Sequence, residues 1–161
     1  MTHTISVLVE NQSGVLARVS GLFSARGYNI ESLCVGTTED RTVSRMTVVV
    51  SGDDGVLRQI INQLNKLVEV IEVIDLTQDE FVERELVMIK VSAKSKQRSE
   101  LLEVAQIFRA KVCDVSIGAI GFEVTGSSGK LRAFIDMMRP FGIQELVRTG
   151  QIAMTRSSET E

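Results

Sequence analysis

The chain has 161 residues, 43% of them apolar and 24% charged, a balance that predicts a folded core rather than a disordered segment. Its net charge of -3 lacks the positive excess typical of proteins that bind DNA or RNA. The amino terminus shows no basic segment followed by a long apolar one, and no apolar run approaches the roughly 18 residues of a membrane span. We therefore expect a soluble, cytoplasmic protein that contacts neither nucleic acid nor membrane.

The first half of the chain has a βαββαβ pattern, in which alternating apolar residues indicate strands and an i, i+3, i+4 spacing indicates helices. The predicted elements are a strand over Thr4–Glu10, a helix capped by Ser13 and stopped by Gly27, strands over Asn29–Gly36 and Thr42–Ser51, a helix capped by Asp53 or Asp54, and a strand over Val70–Leu76. This order is that of the ferredoxin-like fold. It is complete near residue 76.

The second half repeats the same topology without obvious residue identity. Its predicted elements are a strand over Glu85–Ala93, a helix over Arg98–Arg109, strands over Lys111–Ile117 and Gly121–Thr125, a helix over Ser128–Met138 and a strand over Ile143–Thr149. We interpret Thr77–Arg84 as a linker and Ser157–Glu161 as a frayed polar tail. The prediction is an α+β protein with one ferredoxin-like βαββαβ domain over residues 1–78 and a second over residues 79–161.

Three sequence blocks in a fixed order carry a resemblance to a known family. They are Glu10–Leu16, Arg26–Leu33 and Ser44–Thr47, and the similarity continues through Val82–Glu85 into the second half. With these blocks the chain closely resembles the regulatory small subunits of acetolactate synthase, also called acetohydroxyacid synthase. The resemblance implies that the first domain is an ACT domain, a small module that binds an amino acid as an effector.

The turn Asn11–Gly14 is the predicted effector site. Backbone N–H groups and a helix N-terminus meet there and suit a ligand carboxylate, although Asn, Ser and Gly are also common in ordinary turns. Asn29, at the head of the next strand, is predicted to lie near the same ligand. The residues that the resemblance assigns to the pocket are Asn11, Gly14, Val15, Leu16, Asn29 and Ile30, and Ala17, one turn into the helix, is expected to line it.

The resemblance also implies a function without catalysis in this chain. A small subunit of this family takes part in valine, isoleucine and leucine biosynthesis, activates the large catalytic subunit and confers feedback inhibition by a branched-chain amino acid, here most simply valine. It is expected to form a homodimer whose interface holds the effector sites. Thiamine diphosphate, Mg²⁺ and FAD belong to the catalytic subunit in such a system, and no cofactor is expected in this chain. Its sequence contains no Gly-x-Ser-x-Gly elbow or other catalytic motif.

Three other functions fit the same topology. An RNA-recognition module needs stacking aromatics on its central strands, and none occurs in Ile5–Val9 or Val43–Val50. An acylphosphatase-type enzyme needs an Arg in its phosphate-binding loop, which is absent before Arg18. A stand-alone amino-acid sensor that serves another partner enzyme is the alternative that remains open.

Five further features have simpler interpretations. We expect His3 to be a solvated surface residue, and Cys34 and Cys113 to be buried thiols. Arg45 is either an ordinary edge-strand charge or a residue of a subunit interface. Gly126–Lys130 lacks the spacing of a phosphate-binding loop and predicts a helix start capped by Ser127 or Ser128.

Overall fold

A computed structural model describes residues 1–157 of the chain, which form two compact units. The first unit contains Met1–Val82 together with residues 151–157, and the second contains Glu83–Gly150. The units divide shortly after the predicted boundary at residue 78. The carboxyl-terminal segment groups with the first unit, whereas the sequence pattern assigned it to the second. Of the predicted tail, residues 158–161 lie outside the described part of the chain.

The first unit is a four-stranded antiparallel sheet with two helices. Its elements are β1 (Thr2–Glu10), α1 (Val15–Ala25), β2 (Asn29–Thr37), β3 (Val43–Ser51), α2 (Asp54–Asn65) and β4 (Val70–Asp75), followed by a 3₁₀ turn over Leu76–Gln78. The strands lie in the order β2-β3-β1-β4. The predicted βαββαβ topology is confirmed.

Glycines and an aspartate define the helix ends of this unit. Gly14, with φ of 86°, occupies the N-cap position of α1 and no side chain caps the helix, so the prediction of Ser13 as the cap is wrong. Gly27, with φ of 75°, follows the C-cap residue Arg26, as predicted. Asp53 caps α2 by accepting a hydrogen bond from the N–H of Gly55 at 2.6 Å.

Aliphatic side chains on one face of the sheet form the core of the first unit with both helices. Ile5 and Val7 of β1 pack with Phe23 of α1 and Ile60 of α2, all fully buried. His3 shares this face and is only 1% exposed, so the prediction of a solvated residue is wrong. Its position in the alternating pattern of β1 directs the ring inward, despite its place near the end of the chain.

The second unit repeats the architecture. Its elements are β5 (Phe81–Ser92), α3 (Arg98–Ile107), β6 (Lys111–Val115), β7 (Ala119–Gly126), α4 (Ser128–Met138), a 3₁₀ turn over Arg139–Phe141, and β8 (Ile143–Arg148), with strand order β6-β7-β5-β8. α4 starts where the sequence predicts. Ser127 is at its N-cap but makes no side-chain capping bond.

A further strand and an early start of β5 were not predicted. β9 (Ile152–Thr155) pairs with β5, and beside it the N–H of Arg156 donates to the carbonyl of Glu80 at 3.1 Å. β5 already begins at Phe81, within the segment interpreted as a linker. The charged pattern of this segment is typical of a solvated linker, but backbone pairing to β9 stabilises it as a strand.

Two expectations about single side chains are corrected by the fold. Cys113 is exposed and Cys34 is half-buried, so neither is a core thiol, and both are free. Arg45 lies on β3, an interior strand, so it is not an edge-strand charge. Its Nη1 donates to the hydroxyl of Ser6 on the neighbouring strand at 2.7 Å.

Candidate functional site

The turn between β1 and α1 presents unpaired backbone donors. The first i to i−4 bond of the helix runs from the N–H of Arg18 to the carbonyl of Gly14 at 3.1 Å. The N–H groups of Leu16 and Ala17 therefore precede the helical ladder and point out of its start. Open space surrounds Gly14, since an added Cβ would meet no atom within 4 Å. This arrangement can bind a carboxylate through backbone N–H groups and the positive end of the helix dipole.

Asn11 is held in place by the hairpin between β2 and β3. Its N–H donates to the carbonyl of Thr42 at 2.7 Å, and its Nδ2 donates to the carbonyl of Arg41 at 2.9 Å. The hairpin itself is braced by Asp40, whose carboxylate accepts from the hydroxyl of Thr42 at 2.7 Å and from its N–H at 2.9 Å. These bonds lower the pKa of Asp40. The bond from Nδ2 fixes the side-chain amide of Asn11, and its Oδ1 accepts no hydrogen bond from another described residue.

The hairpin between β2 and β3 was not predicted to belong to the site. The signal was present in the Asp-x-Thr spacing of residues 40–42, which favours a local turn in which the carboxylate accepts from a residue two positions later.

The remaining predicted residues of the turn differ in how far their side chains are buried. Val15 is 2% exposed and packs in the core, so only its backbone is available to a ligand. Leu16 is 44% exposed and Ala17 is also exposed, and these two side chains offer apolar surface beside the helix start. An open hollow adjoins the turn on its hairpin side and is lined by Glu10, Asn11, Gln12, Arg41, Thr42, Val43 and Ile71.

Asn29 and Ile30 lie at the opposite end of the same sheet. Asn29 pairs with Ser51 at the end of β3, whereas Glu10 pairs with Val43 at its start. The two pairs lie eight positions apart along β3, a distance of about 26 Å at about 3.3 Å per residue. The prediction that Asn29 lies beside the turn in one chain is therefore wrong. Its assignment to an effector site stays a prediction, and so do the assignments of the turn residues.

The described residues contain neither a cluster of metal-ligating side chains nor a membrane-spanning helix. Within residues 1–157, no three His, Cys, Asp or Glu side chains converge as ligands for a metal ion would. No helix in that range is long and apolar enough to cross a membrane.

Comparison with known proteins assigns both halves of the chain. Residues 5–72 match the family described as "AHAS small subunit-like ACT domain", so the first unit is an ACT domain. Residues 84–157 match the family described as "Small subunit of acetolactate synthase".

Full-length relatives agree with this assignment. The chain is 57% identical over 159 residues to a probable acetolactate synthase small subunit of Archaeoglobus fulgidus, covering 99% of both proteins. It is 50% identical over 155 residues to the acetolactate synthase small subunit of Mycolicibacterium smegmatis, covering 96% of this chain and 91% of that protein. A crystal structure of the acetolactate synthase small subunit of Thermotoga maritima superposes with a TM-score of 0.88 at 39% identity, covering 98% of this chain and 99% of that one. The chain belongs to the acetolactate synthase small-subunit family.

Proposed function

We propose that this chain is the regulatory subunit of acetolactate synthase, and that it activates the catalytic subunit and confers feedback inhibition by valine. Membership of the small-subunit family supports the regulatory role and the large catalytic partner. Thiamine diphosphate, Mg²⁺ and FAD would then act in that partner. Inhibition requires valine to bind the inactive arrangement of the complex more tightly than the active one, and such couplings are typically about 1 to 3 kcal/mol.

The structural feature that supports an amino-acid site is the start of α1. The free N–H groups of Leu16 and Ala17 would bind the ligand carboxylate, and the oriented amide oxygen of Asn11 would accept from its ammonium group. Exposed Leu16 would contact the branched side chain. Gly14 leaves space for the ligand to approach the backbone closely.

A homodimer would bring Asn29 to this turn. β2 is at the edge of the first sheet, with β3 as its strand partner within the described residues. If two copies pair antiparallel through their β2 edges, the start of one β2 lies alongside the end of the other. The carboxyl end of β2, near Thr37, lies at the same end of the sheet as the β1–α1 turn. Each valine site would then combine the Asn11–Ala17 turn of one protomer with Asn29 and Ile30 of its partner.

Mixing two defective variants tests this shared site. Gly14→Asp places a carboxylate where the ligand carboxylate would bind, and Asn29→His replaces a short amide by a bulkier ring. Each homodimer is expected to lose valine binding in calorimetry. In a mixed dimer one site carries both substitutions and the other carries none, so an unfolded and refolded equimolar mixture should regain about a quarter of the wild-type sites.

A site formed within one protomer predicts the opposite result for this mixture. If turn and Asn29 acted within one protomer, no mixed dimer would contain an intact site and no binding would return. Unchanged valine binding by Gly14→Asp would instead place the effector site elsewhere in the chain.

The regulatory role is tested by co-purification and reconstitution with the catalytic subunit. We expect the wild-type chain to show no acetolactate synthase activity alone, to raise the activity of the catalytic subunit, and to make that activity sensitive to valine. Isolation with a different enzyme, and no effect on acetolactate synthase, would favour a stand-alone sensor.

A further inference from the structure

The second unit contains a groove between α4 and the edge strand β8. Ser128, Arg132, Ile135, Asp136 and Arg139 come from α4 and the residue that follows it, whereas Leu146 and Arg148 come from β8, and together they line a hollow of about 190 Å³. The α4 residues from Arg132 to Arg139 follow the i, i+3, i+4, i+7 spacing of one helix face. Leu146 and Arg148 are two apart on one face of their strand. Two elements therefore direct three guanidinium groups and a single carboxylate toward the same space.

The arginines of the groove differ in how far their donors are already used. Arg148 is fixed by a bidentate pair with the buried carboxylate of Glu85, at 2.6 Å for Nε and 3.0 Å for Nη2. This pair raises the pKa of Arg148 and orients its remaining Nη1. Arg139 donates from Nε to Asp136 at 3.2 Å, which leaves both Nη groups for another partner.

Arg132 has no internal partner within residues 1–157: no hydrogen bond or ion pair joins it to another described residue. Asp136 lies one helical turn after it, at the i, i+4 position that favours an ion pair, but pairs with Arg139 instead. All five N–H donors of Arg132 are thus free beside two other guanidinium groups. Arg139 and Arg148 are each paired with a carboxylate, so Arg132 is the groove arginine whose charge no described carboxylate offsets, and a bound anion would offset it.

The charge of the whole second unit points in the same direction. Residues 83–150 contain eleven Lys and Arg against eight Asp and Glu, in a chain whose net charge is -3. The second unit thus has a net positive charge although the whole chain is acidic, and this charge favours the approach of anions.

We propose that this groove binds a small molecule with two or more negative charges on phosphate groups. A planar guanidinium fork matches the oxygens of a phosphate, and the free fork of Arg132 with the remaining Nη donors of Arg139 and Arg148 suits a diphosphate better than a single carboxylate. Ile135 and Leu146 would contact an apolar or ring portion of the same ligand. The site lies within the second unit and is independent of the valine site proposed for the first.

An anion series measured on the full-length protein tests the proposal. Binding of acetate, inorganic phosphate and pyrophosphate is followed by amide chemical shifts at constant ionic strength. We expect affinity to rise along this series, with the shifts concentrated in α4 and β8. Arg132→Gln and Arg139→Gln should each weaken pyrophosphate binding by about tenfold, the usual effect of losing a charge-assisted hydrogen bond.

Lys96→Gln is the matched control. Lys96 is exposed on the second unit outside the groove, so this variant removes the same charge without touching the site. Equal weakening by Lys96→Gln and Arg132→Gln would reduce the effect to general electrostatics and overturn the proposal. Pyrophosphate binding no tighter than acetate, or displaced by valine, would also overturn it. If the wild-type protein failed to bind valine, that result would contradict the proposed function but not the anion site.

Discussion

The two units share one topology but build their first strand-to-helix turn differently. In the first unit, Gly14 turns the chain into α1 with φ of 86°, and the start of the helix is open. In the second, Gln97 precedes α3 with φ of -107°, and no residue between Ala93 and Arg98 has a positive φ. Both helix starts have N–H groups that precede the first i to i−4 bond, but only the first unit has a glycine with open space at that point, whereas the turn before α3 contains the basic residues Lys94 and Lys96.

The two turns also fasten to the neighbouring hairpin by different means. In the first unit Asn11, which lies before the helix, donates to Arg41, so the helix start is not obstructed. In the second, the first helical residue, Arg98, donates through Nη2 to the carbonyls of Ser116 and, at 2.7 Å, Ile117. The side chain of Arg98 thus ties the start of α3 itself to the hairpin, whereas in the first unit the tie comes from Asn11, before the helix. Topology positions a site, and a few local residues decide whether one exists.

The largest expected effect comes from closing the open turn. Gly14→Asp should weaken valine binding by at least about 100-fold, because a fixed carboxylate would repel that of the ligand. In a reconstituted assay, valine titration should no longer inhibit, while activation of the catalytic subunit stays largely intact.

Gly142→Asp provides the control for this change. Gly142 has a positive φ of 96° in the second unit, so the same substitution there carries a similar or greater backbone strain. Valine inhibition should survive it. Loss of activation together with inhibition in Gly14→Asp would show that the turn serves folding or docking instead.

The next effect concerns the stability of the second unit. Arg148→Leu should lower its free energy of unfolding by about 2 kcal/mol, because Glu85, 7% exposed, would keep a carboxylate without its bidentate partner. Denaturant unfolding measures the change. The double variant Glu85→Leu with Arg148→Leu should recover part of the loss, since it removes the unpaired charge. A double variant as unstable as the sum of the single ones would contradict this account.

Sequence reasoning located the elements well because their signals are local. Alternating apolar residues placed β1, and Gly27 stopped α1, since both depend on neighbours in the chain. The mistake about Asn29 came from topology. A strand that follows a helical crossover runs parallel to the first strand, so β2 begins at the end where β1 begins, far from the turn that ends β1.

Other features depend on contacts that no local pattern contains. β9 has only four residues and is stabilised by partners distant in sequence, including Ser32, whose hydroxyl accepts from the N–H of Gln151 at 2.8 Å. The ring of Tyr28 lies against Gly52, where an added Cβ would clash with the ring. Such close approaches follow from tertiary packing.

Removing β9 should affect one unit more than the other. A chain that ends at Gly150 is expected to lose about 1 to 2 kcal/mol in the first unit, because the Ser32 bond and the pairing of β9 disappear. Amide hydrogen exchange resolved by segment should show faster exchange in β1, in β2 and at the start of β5, whose residues Phe81 and Val82 belong to the first unit, and little change in α4. The comparison is with a chain that ends at Ser157. Equal acceleration in both units would show that β9 supports them equally.

The smallest expected effect is a pH dependence specific to the first unit. Burial raises the pKa of Tyr28, and the negative charge of Asp53 adds to the rise. Because the folded state holds the phenol neutral, the stability it contributes is complete below the unfolded pKa near 10 and declines as pH rises through the higher folded pKa. Tyr28 is the only tyrosine of the chain and there is no tryptophan, so tyrosinate absorbance reports this one group.

Tyr28→Phe should cost about 1 kcal/mol at neutral pH, through the lost hydrogen bond to the carbonyl of Asp53, and should flatten the decline in stability above pH 10. A titration midpoint at the value of free tyrosine, or the same alkaline decline in both proteins, would contradict the assignment.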